Sequence, residues 1–223
     1  MSQQIIHVYF VPGLAAGKEI FENIKLPEEL FKVHFVEWKI PERKESIENY
    51  AQRMASEVKE ENAVLIGVSF GGVMVQEMSA FLNLRKLIVI SSVKSKHELP
   101  VRMILARKTL AYKLVPTKMI LSADDLSKFA IGKKTKKRLQ LYQQFLSVRN
   151  ENYLDWAIEN MTCWNREQAD EQVIHIHGDK DFVFPIDKIK NCIVIEGGTH
   201  IMILNRFKWF NKNLPKIILD EPL

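Results

Sequence analysis

Runs such as Ile5–Val11 and Ala63–Val68 constrain this chain more than any other feature. They are of strand length, yet apolar residues do not alternate with polar ones. A strand with one wet face alternates; a strand covered on both faces reads as a nearly continuous apolar run. Covering both faces takes a layer of helices on each side, the arrangement of parallel α/β sheets.

The rest of the pattern agrees. Pro12-Gly13 ends the first run, and Lys18–Ile24 reads as a short helix. Phe31–Trp38 is a second strand pattern, closed by Pro41. Ser46–Glu60 reads as a helix with Ser46 as N-cap and Tyr50, Met54 and Val58 on one face. Ala63–Val68, a helix over Gly72–Leu82 and a strand over Lys86–Ile90 follow. The alternation then stops. From Lys94 to about Trp164 the patterns are helical only: Pro100–Tyr112, Lys134–Val148 and Asn152–Met161. Strand patterns resume at Val173–His177 and Cys192–Glu196, and a last helix is expected over Ile203–Asn213.

With 223 residues, one domain spanning 1–223 is expected, and the helical insertion, about 94–165, reads as a cap over the sheet. The units on either side of it are too few to fold separately. An apolar fraction of 47% and a charged fraction of 26% exclude a disordered or fibrous chain. The longest uncharged apolar stretch, Ala63–Val75, is interrupted by Gly67, Ser69, Gly71 and Gly72 and falls short of a membrane span of ~18 residues. No signal-peptide pattern is visible, and two cysteines, Cys163 and Cys192, do not make a disulfide framework, so a cytoplasmic protein is expected.

Chemistry concentrates at Gly67-Val68-Ser69-Phe70-Gly71-Gly72, a G-x-S-x-G string between a strand and a helix. Such a turn strains the serine backbone, so the residues two before and two after must be small; Gly67 and Gly71 are. It lifts the Ser69 hydroxyl above the sheet edge and puts the Phe70 N–H at a helix N-terminus, where it can stabilise an oxyanion. A serine nucleophile needs a base, and the base an orienting acid. Of six histidines, His7 and His34 lie within strands, His97 opens the insertion, and His175 and His177 end a strand. His200, in Gly197-Gly198-Thr199-His200, falls in a loop after the last strand, at the edge where open α/β sheets bind ligands. Its acid should lie in the loop after the preceding strand, where spacing alone admits Asp179 or Asp181.

The order Ser69, Asp181, His200 resembles that of the α/β-hydrolase superfamily. The string Gly178-x-x-Asp181-x-x-x-Pro185 resembles that family's acid loop, which favours Asp181 over Asp179. The resemblance implies a three-layer α/β-hydrolase fold with a minimal six-stranded, mostly parallel sheet and a helical cap. It departs in three places. Pro12-Gly13 stands where the family often has His-Gly, but Gly13 can still present the Leu14 N–H as a second oxyanion donor. The N-terminal antiparallel strands of larger members are absent. The Asp181–His200 stretch is short, so Ile186–Asn191 is expected to be a loop or a single turn.

The resemblance implies a serine hydrolase acting on esters or thioesters through an acyl-enzyme, with Ser69 nucleophile, His200 base and Asp181 acid. The alternative of another class is a non-catalytic ligand-binding protein on the same fold. His175-x-His177-x-Asp179 also resembles a metal-binding string, but Lys180 follows where another histidine should, so no metal or cofactor is expected. Nucleic acid is not an expected partner either: the basic run Lys133–Arg138 lacks interleaved aromatics. Residues 94–149 carry 14 Lys and Arg against 3 Asp and Glu in a chain of net +5, so the remainder is net acidic. Such a basic insertion reads either as a helical cap kept soluble by lysine or as a cap that lies near an anionic surface or draws in an anionic acyl substrate. Met103, Leu105, Met119, Leu121, Phe129, Trp156 and Trp164 are candidates for its wall or for cap core.

Overall fold

The computed structural model describes residues 4–115, 117 and 147–222. Its centre is one sheet of six strands, β1 (Ile6–Val11), β2 (Phe31–Phe35), β3 (Ala63–Val68), β4 (Leu84–Ile90), β5 (Ile174–Gly178) and β6 (Ile193–Ile195), in the order β2-β1-β3-β4-β5-β6. Every pairing is parallel, where a mostly parallel sheet was expected. The strand order reverses between β1 and β3, so their C-terminal ends flank the crevice that such sheets use for ligands.

The two cores explain the unbroken apolar runs. Tyr9, Val11, Leu65 and Val89 point to one face, against helices α1 (Ile47–Ala55) and α2 (Phe70–Met78). Val8, Phe10, Ile66 and Ile88 point to the other, against α6 (Phe207–Leu219) and a 3₁₀ turn over Lys18–Phe21. Helix α1 forms because Ser46 Oγ accepts the Asn49 N–H at 3.2 Å while Tyr50, Ala51, Met54 and Ala55 make one buried stripe. Burying each large apolar side chain contributes about 1.5–3 kcal/mol.

Several boundaries differ from expectation. Strand β2 ends at Phe35; Val36 still donates to the Phe10 carbonyl at 2.9 Å, after which Trp38 turns into the core. Helix α1 stops at Ala55, because Glu57 and Val58 form short turns back to Met54 and Ala55 and Asn62 is left-handed. Helix α2 starts at Phe70 directly after the elbow serine, not at Gly72. Among the described residues, β4 is followed by α3 (Val101–Thr109), ended by left-handed Leu110, and by α4 (Glu151–Cys163), capped by Asn150. The expected last helix is two, α5 (Met202–Asn205) and α6, separated at Arg206. The connection after Asp181 is a single 3₁₀ turn, Ile186–Lys188. Of the helix expected over 134–148, only Ser147 and Val148 are described, and they are not helical; the basic run, Met119, Leu121 and Phe129 lie outside the described residues.

Candidate active site

Three loops at the C-terminal edge of the sheet build the site. The first is the β3–α2 turn. Ser69 holds φ 54° and ψ −120°, a conformation that costs a non-glycine residue about 1–3 kcal/mol. The neighbouring backbone enforces it. A Cβ on Gly67 would lie 2.2 Å from the Gly71 carbonyl oxygen, and one on Gly71 2.3 Å from that of Pro12. Ser92, just past β4, donates its hydroxyl to the Ser69 carbonyl at 2.7 Å and braces the turn from below.

The second and third loops cross at Gly178 and Gly198. A side chain on Gly178 would strike the Gly198 carbonyl oxygen at 2.3 Å, so only glycine lets the β5 and β6 ends approach this closely. Lys180 N–H donates to the Gly198 carbonyl at 2.8 Å, and the Asp179 carboxylate accepts the Gly197 N–H at 2.6 Å. Asp179 therefore stitches the two loops together, and Asp181 reaches the histidine. His200 Nδ1 lies 2.9 Å from Asp181 Oδ2, and His200 Nε2 lies 3.0 Å from Ser69 Oγ. The other Asp181 oxygen accepts the N–H groups of Val183 at 2.8 Å and Phe184 at 3.0 Å. The Phe184 ring meets His200 edge-on, with centroids 5.5 Å apart.

Burial of Asp181 opposes its charge, but the hydrogen bond and charge of His200, the Phe184 N–H and His177 together hold the carboxyl below its ordinary value. The acid is thus ionised at neutral pH and accepts from Nδ1–H, which leaves Nε2 with a lone pair toward Ser69. Beneath it, His177 Nε2 donates to the Phe184 carbonyl at 2.8 Å and sits 3.6 Å from Asp181 Oδ2. A carbonyl can only accept, so His177 Nδ1 is unprotonated and takes the proton of His175 Nε2 at 3.0 Å. Burial drives both histidines below the ordinary imidazole value.

The β1 loop faces the elbow. A Cβ built on Gly13 would sit 3.5 Å from Ser69 Cβ. The Gly13 carbonyl accepts the Trp38 indole N–H at 2.9 Å and the Ala16 N–H at 3.0 Å, and Ala15 takes a left-handed φ of 60°. Leu14 is inside this turn, and among the described residues no backbone carbonyl accepts its N–H. Phe70 opens α2, where first-turn N–H groups have no acceptor within the helix.

The structure thus brings Ser69, Asp181 and His200 together, with Gly67, Phe70 and Gly71 in the serine's own turn and Gly13, followed by Leu14, in the loop facing it. It does not join His175, His177 and Asp179 into a metal-holding set. Trp156 packs on Tyr50 and Phe70, Trp164 donates its indole N–H to Glu77, and Leu105 is exposed. Trp38, Tyr153, Ser92 and His177 support the site and were missed. Only the serine pair after β4 and the His-x-His string gave any signal of them; nothing local marks Trp38 or Tyr153.

No protein-family model matches the sequence, and no curated protein matches it significantly. Solved structures do match. Among them are BpoC, a candidate non-heme bromoperoxidase of Mycobacterium tuberculosis H37Rv (TM-score 0.71, 12% identity, 99% of this chain and 94% of that one). A thermophilic esterase of Thermogutta terrifontis matches at TM-score 0.68 and 12% identity, over 98% of this chain and 91% of that one. The esterase EaEST of Exiguobacterium antarcticum matches at TM-score 0.67 and 16% identity, over 98% and 93%. The chain has the α/β-hydrolase fold.

Proposed function

We propose that the protein is a serine hydrolase of esters or thioesters, with Ser69 as nucleophile, His200 as general base and acid, and Asp181 as the orienting acid. The observation that carries this reading is the continuous hydrogen-bonded chain from Ser69 Oγ through His200 to a buried, ionised Asp181, set on a strained turn. The bond lengths are those of a nucleophile, base and orienter already in reach of one another. The esterases among the solved structures of the same fold favour the same chemistry.

In this mechanism Ser69 Oγ attacks the acyl carbon as His200 Nε2 takes its proton. Asp181 stabilises the resulting imidazolium. The oxyanion accepts the N–H groups of Phe70, next to Ser69 in the chain, and of Leu14, which follows the Gly13 that faces Ser69; a preorganised donor of this kind is worth about 10²–10³ in rate. Collapse of the adduct expels the alcohol or thiol, which takes the proton from His200. Water, deprotonated by the same histidine, then frees the acid and Ser69.

Residues 1–223 form one domain in this reading, and the segment of about 94–165 is a cap. Both ends of that segment touch the site loops. Arg102 donates to the Phe182 and Val183 carbonyls of the acid loop, Val148 N–H donates to the Ala15 carbonyl at 3.0 Å, and the Tyr153 hydroxyl accepts the Ala15 N–H at 3.4 Å. The basic composition of 94–149 points to an acyl substrate with an anionic portion. Among the described residues no helix is long and apolar enough to cross a membrane. The two cysteines are free thiols, which fits a cytoplasmic protein, and each step above uses only side chains and N–H groups of the chain itself.

Replacing Ser69 by Ala tests the reading. Hydrolysis of p-nitrophenyl acetate should fall by about 10⁴-fold or more with the melting temperature preserved, and His200→Ala should add little to it, since triad members act as a unit. Activity within tenfold of the parent would refute the serine mechanism.

A further inference from the structure

A second cluster of chemistry-bearing side chains stands on β1 and the edge strand β2, away from the C-terminal end of β1. His7 lies four residues before the end of β1, about 13 Å from the loop that faces Ser69. Tyr9 and His34 are register partners on β1 and β2, and their rings stack with centroids 4.4 Å apart. The His7 ring lies nearly parallel to that of His34, with centroids 5.1 Å apart. The loop leaving α1 brings in Glu60.

Three donor atoms converge there. His7 Nδ1 is 3.0 Å from His34 Nε2 and 3.3 Å from a Glu60 carboxylate oxygen, and all three atoms lie within 4.8 Å of one another. Hydrogen bonding alone serves them poorly. The carboxylate only accepts, and a single N–H on His7 cannot point at both the imidazole and the carboxylate. A divalent cation meets three lone pairs at once. For a tetrahedral ion with metal–nitrogen bonds of about 2.0–2.1 Å, neighbouring donor atoms are about 3.3 Å apart, close to the two spacings seen here.

The surroundings hold the donors in that orientation. The Tyr9 hydroxyl donates to the second Glu60 oxygen and accepts the Lys59 N–H at 3.2 Å, which leaves the first oxygen facing the histidines. This is the outer hydrogen bond that metal-ligating carboxylates carry. The stacked rings fix both imidazoles. The side chains of His7 and Glu60 are 23% and 36% exposed, so an ion has a path in and a water can complete its shell.

We propose that His7, His34 and Glu60 form a binding site for a divalent transition-metal ion of the zinc type, held by two imidazoles and one carboxylate. Nitrogen donors disfavour calcium and magnesium, which take oxygen ligands. The ion takes the lone pairs of His7 Nδ1 and His34 Nε2, so each ring keeps its proton on the other nitrogen. The hydrogen now shared between the facing nitrogens moves through solvent to an outer one, with no change in net protonation. The ion would tie β1, β2 and the α1–β3 loop together, away from Ser69, and takes no part in hydrolysis.

Isothermal titration of the full chain with Zn²⁺ after chelator treatment tests this. The expected result is one ion per chain with micromolar or tighter affinity and a higher melting temperature, since a ligand of the native state stabilises it. Glu60→Gln and His34→Gln should each weaken binding by at least 100-fold, and Tyr9→Phe by about 10-fold, the range for a group that orients a ligand. His97→Ala, at an exposed histidine beside Glu167, should leave the affinity unchanged. Binding of equal strength in Glu60→Gln, or loss of the ion in His97→Ala, would overturn the proposal, as would no binding to the parent. Glu60→Gln removes only a charge from a partly exposed group, so it decides the matter even where His34→Gln folds poorly.

Discussion

Replacing Asp181 by Asn separates the two carboxylates of one loop. Asp181 serves three donors: one oxygen accepts from Val183 and Phe184, and the other accepts from His200; His177, which donates to the Phe184 carbonyl, lies 3.6 Å from that same oxygen. An amide has one accepting oxygen and one donating nitrogen. If its oxygen keeps the two backbone N–H groups, its NH₂ faces His200 and forces Nδ1 to accept; the imidazole proton then sits on Nε2, and Ser69 loses its base. If the amide flips, its NH₂ meets two N–H donors, and two hydrogen bonds to a charged group are lost at about 1.5–3 kcal/mol each. The first arrangement is the cheaper, and the wrong tautomer costs ~10⁴ in kcat, about 5.4 kcal/mol of barrier at 1.36 kcal/mol per tenfold. Asp179 accepts a single N–H, from Gly197, which an amide oxygen can still accept. Asp179→Asn should therefore stay within about tenfold, since one comparable hydrogen bond survives. The assay is kcat/KM on p-nitrophenyl acetate for both variants, with far-ultraviolet circular dichroism to show that each is folded. Asp181→Asn within tenfold of the parent, or Asp179→Asn as the more damaging change, would refute the assignment of the acid.

Three further outcomes are expected. Gly67→Ala should prevent folding, because its Cβ meets only backbone at 2.2–2.7 Å, whereas Gly13→Ala meets ordinary contacts at 3.5–3.6 Å and should keep the melting temperature while lowering kcat/KM by crowding Ser69. Burial keeps His175 and His177 neutral in the native state, while the unfolded chain takes up protons below about pH 6.5; stability is full above that pH and should fall as pH drops toward the native values, by ~1.4 kcal/mol per unit for each group. Urea midpoints at pH 7 and 5.5 read this, His175→Gln should make the slope shallower, and a flat profile would contradict it. Finally, kcat/KM for an acyl-CoA thioester should drop steeply from low to physiological salt, a neutral ester should not respond, and Gln at Lys133, Lys134, Lys136 and Lys137 should flatten the dependence; equal salt slopes for the two substrates would make the basic segment a solvated surface.

The elbow and the sheet were legible because both are enforced locally. Apolar runs without alternation report two covered faces, and Gly67 and Gly71 are required by backbone contacts that a sequence motif records directly. His200 was legible by its place after the last strand. Spacing left Asp179 and Asp181 equivalent and only the resemblance of Gly178-x-x-Asp181-x-x-x-Pro185 to a known acid loop favoured Asp181; the physical cause is the close crossing at Gly178 and Gly198, where Asp179 binds the Gly197 N–H, a tertiary fact. Trp38 and Tyr153 reach the β1 loop from distant elements, and no local pattern announces a contact spanning 25 or 138 residues. Helix ends were overrun for a related reason: apolar periodicity continues past Ala55 to Val58, but Val58 reaches the core through a tight turn instead of another helical turn.

Hydrolysis at this site requires Ser69 to be an activated nucleophile. Intact-mass measurement after exposure to a fluorophosphonate, followed by peptide mapping, tests that without knowledge of the natural substrate. One adduct per chain on the peptide carrying Ser69, absent in Ser69→Ala and slowed at least 10³-fold in His200→Ala, is the result expected when the base supplies the reactivity. No adduct on a folded, hydrogen-bonded Ser69, or an adduct whose rate ignores His200, would contradict it.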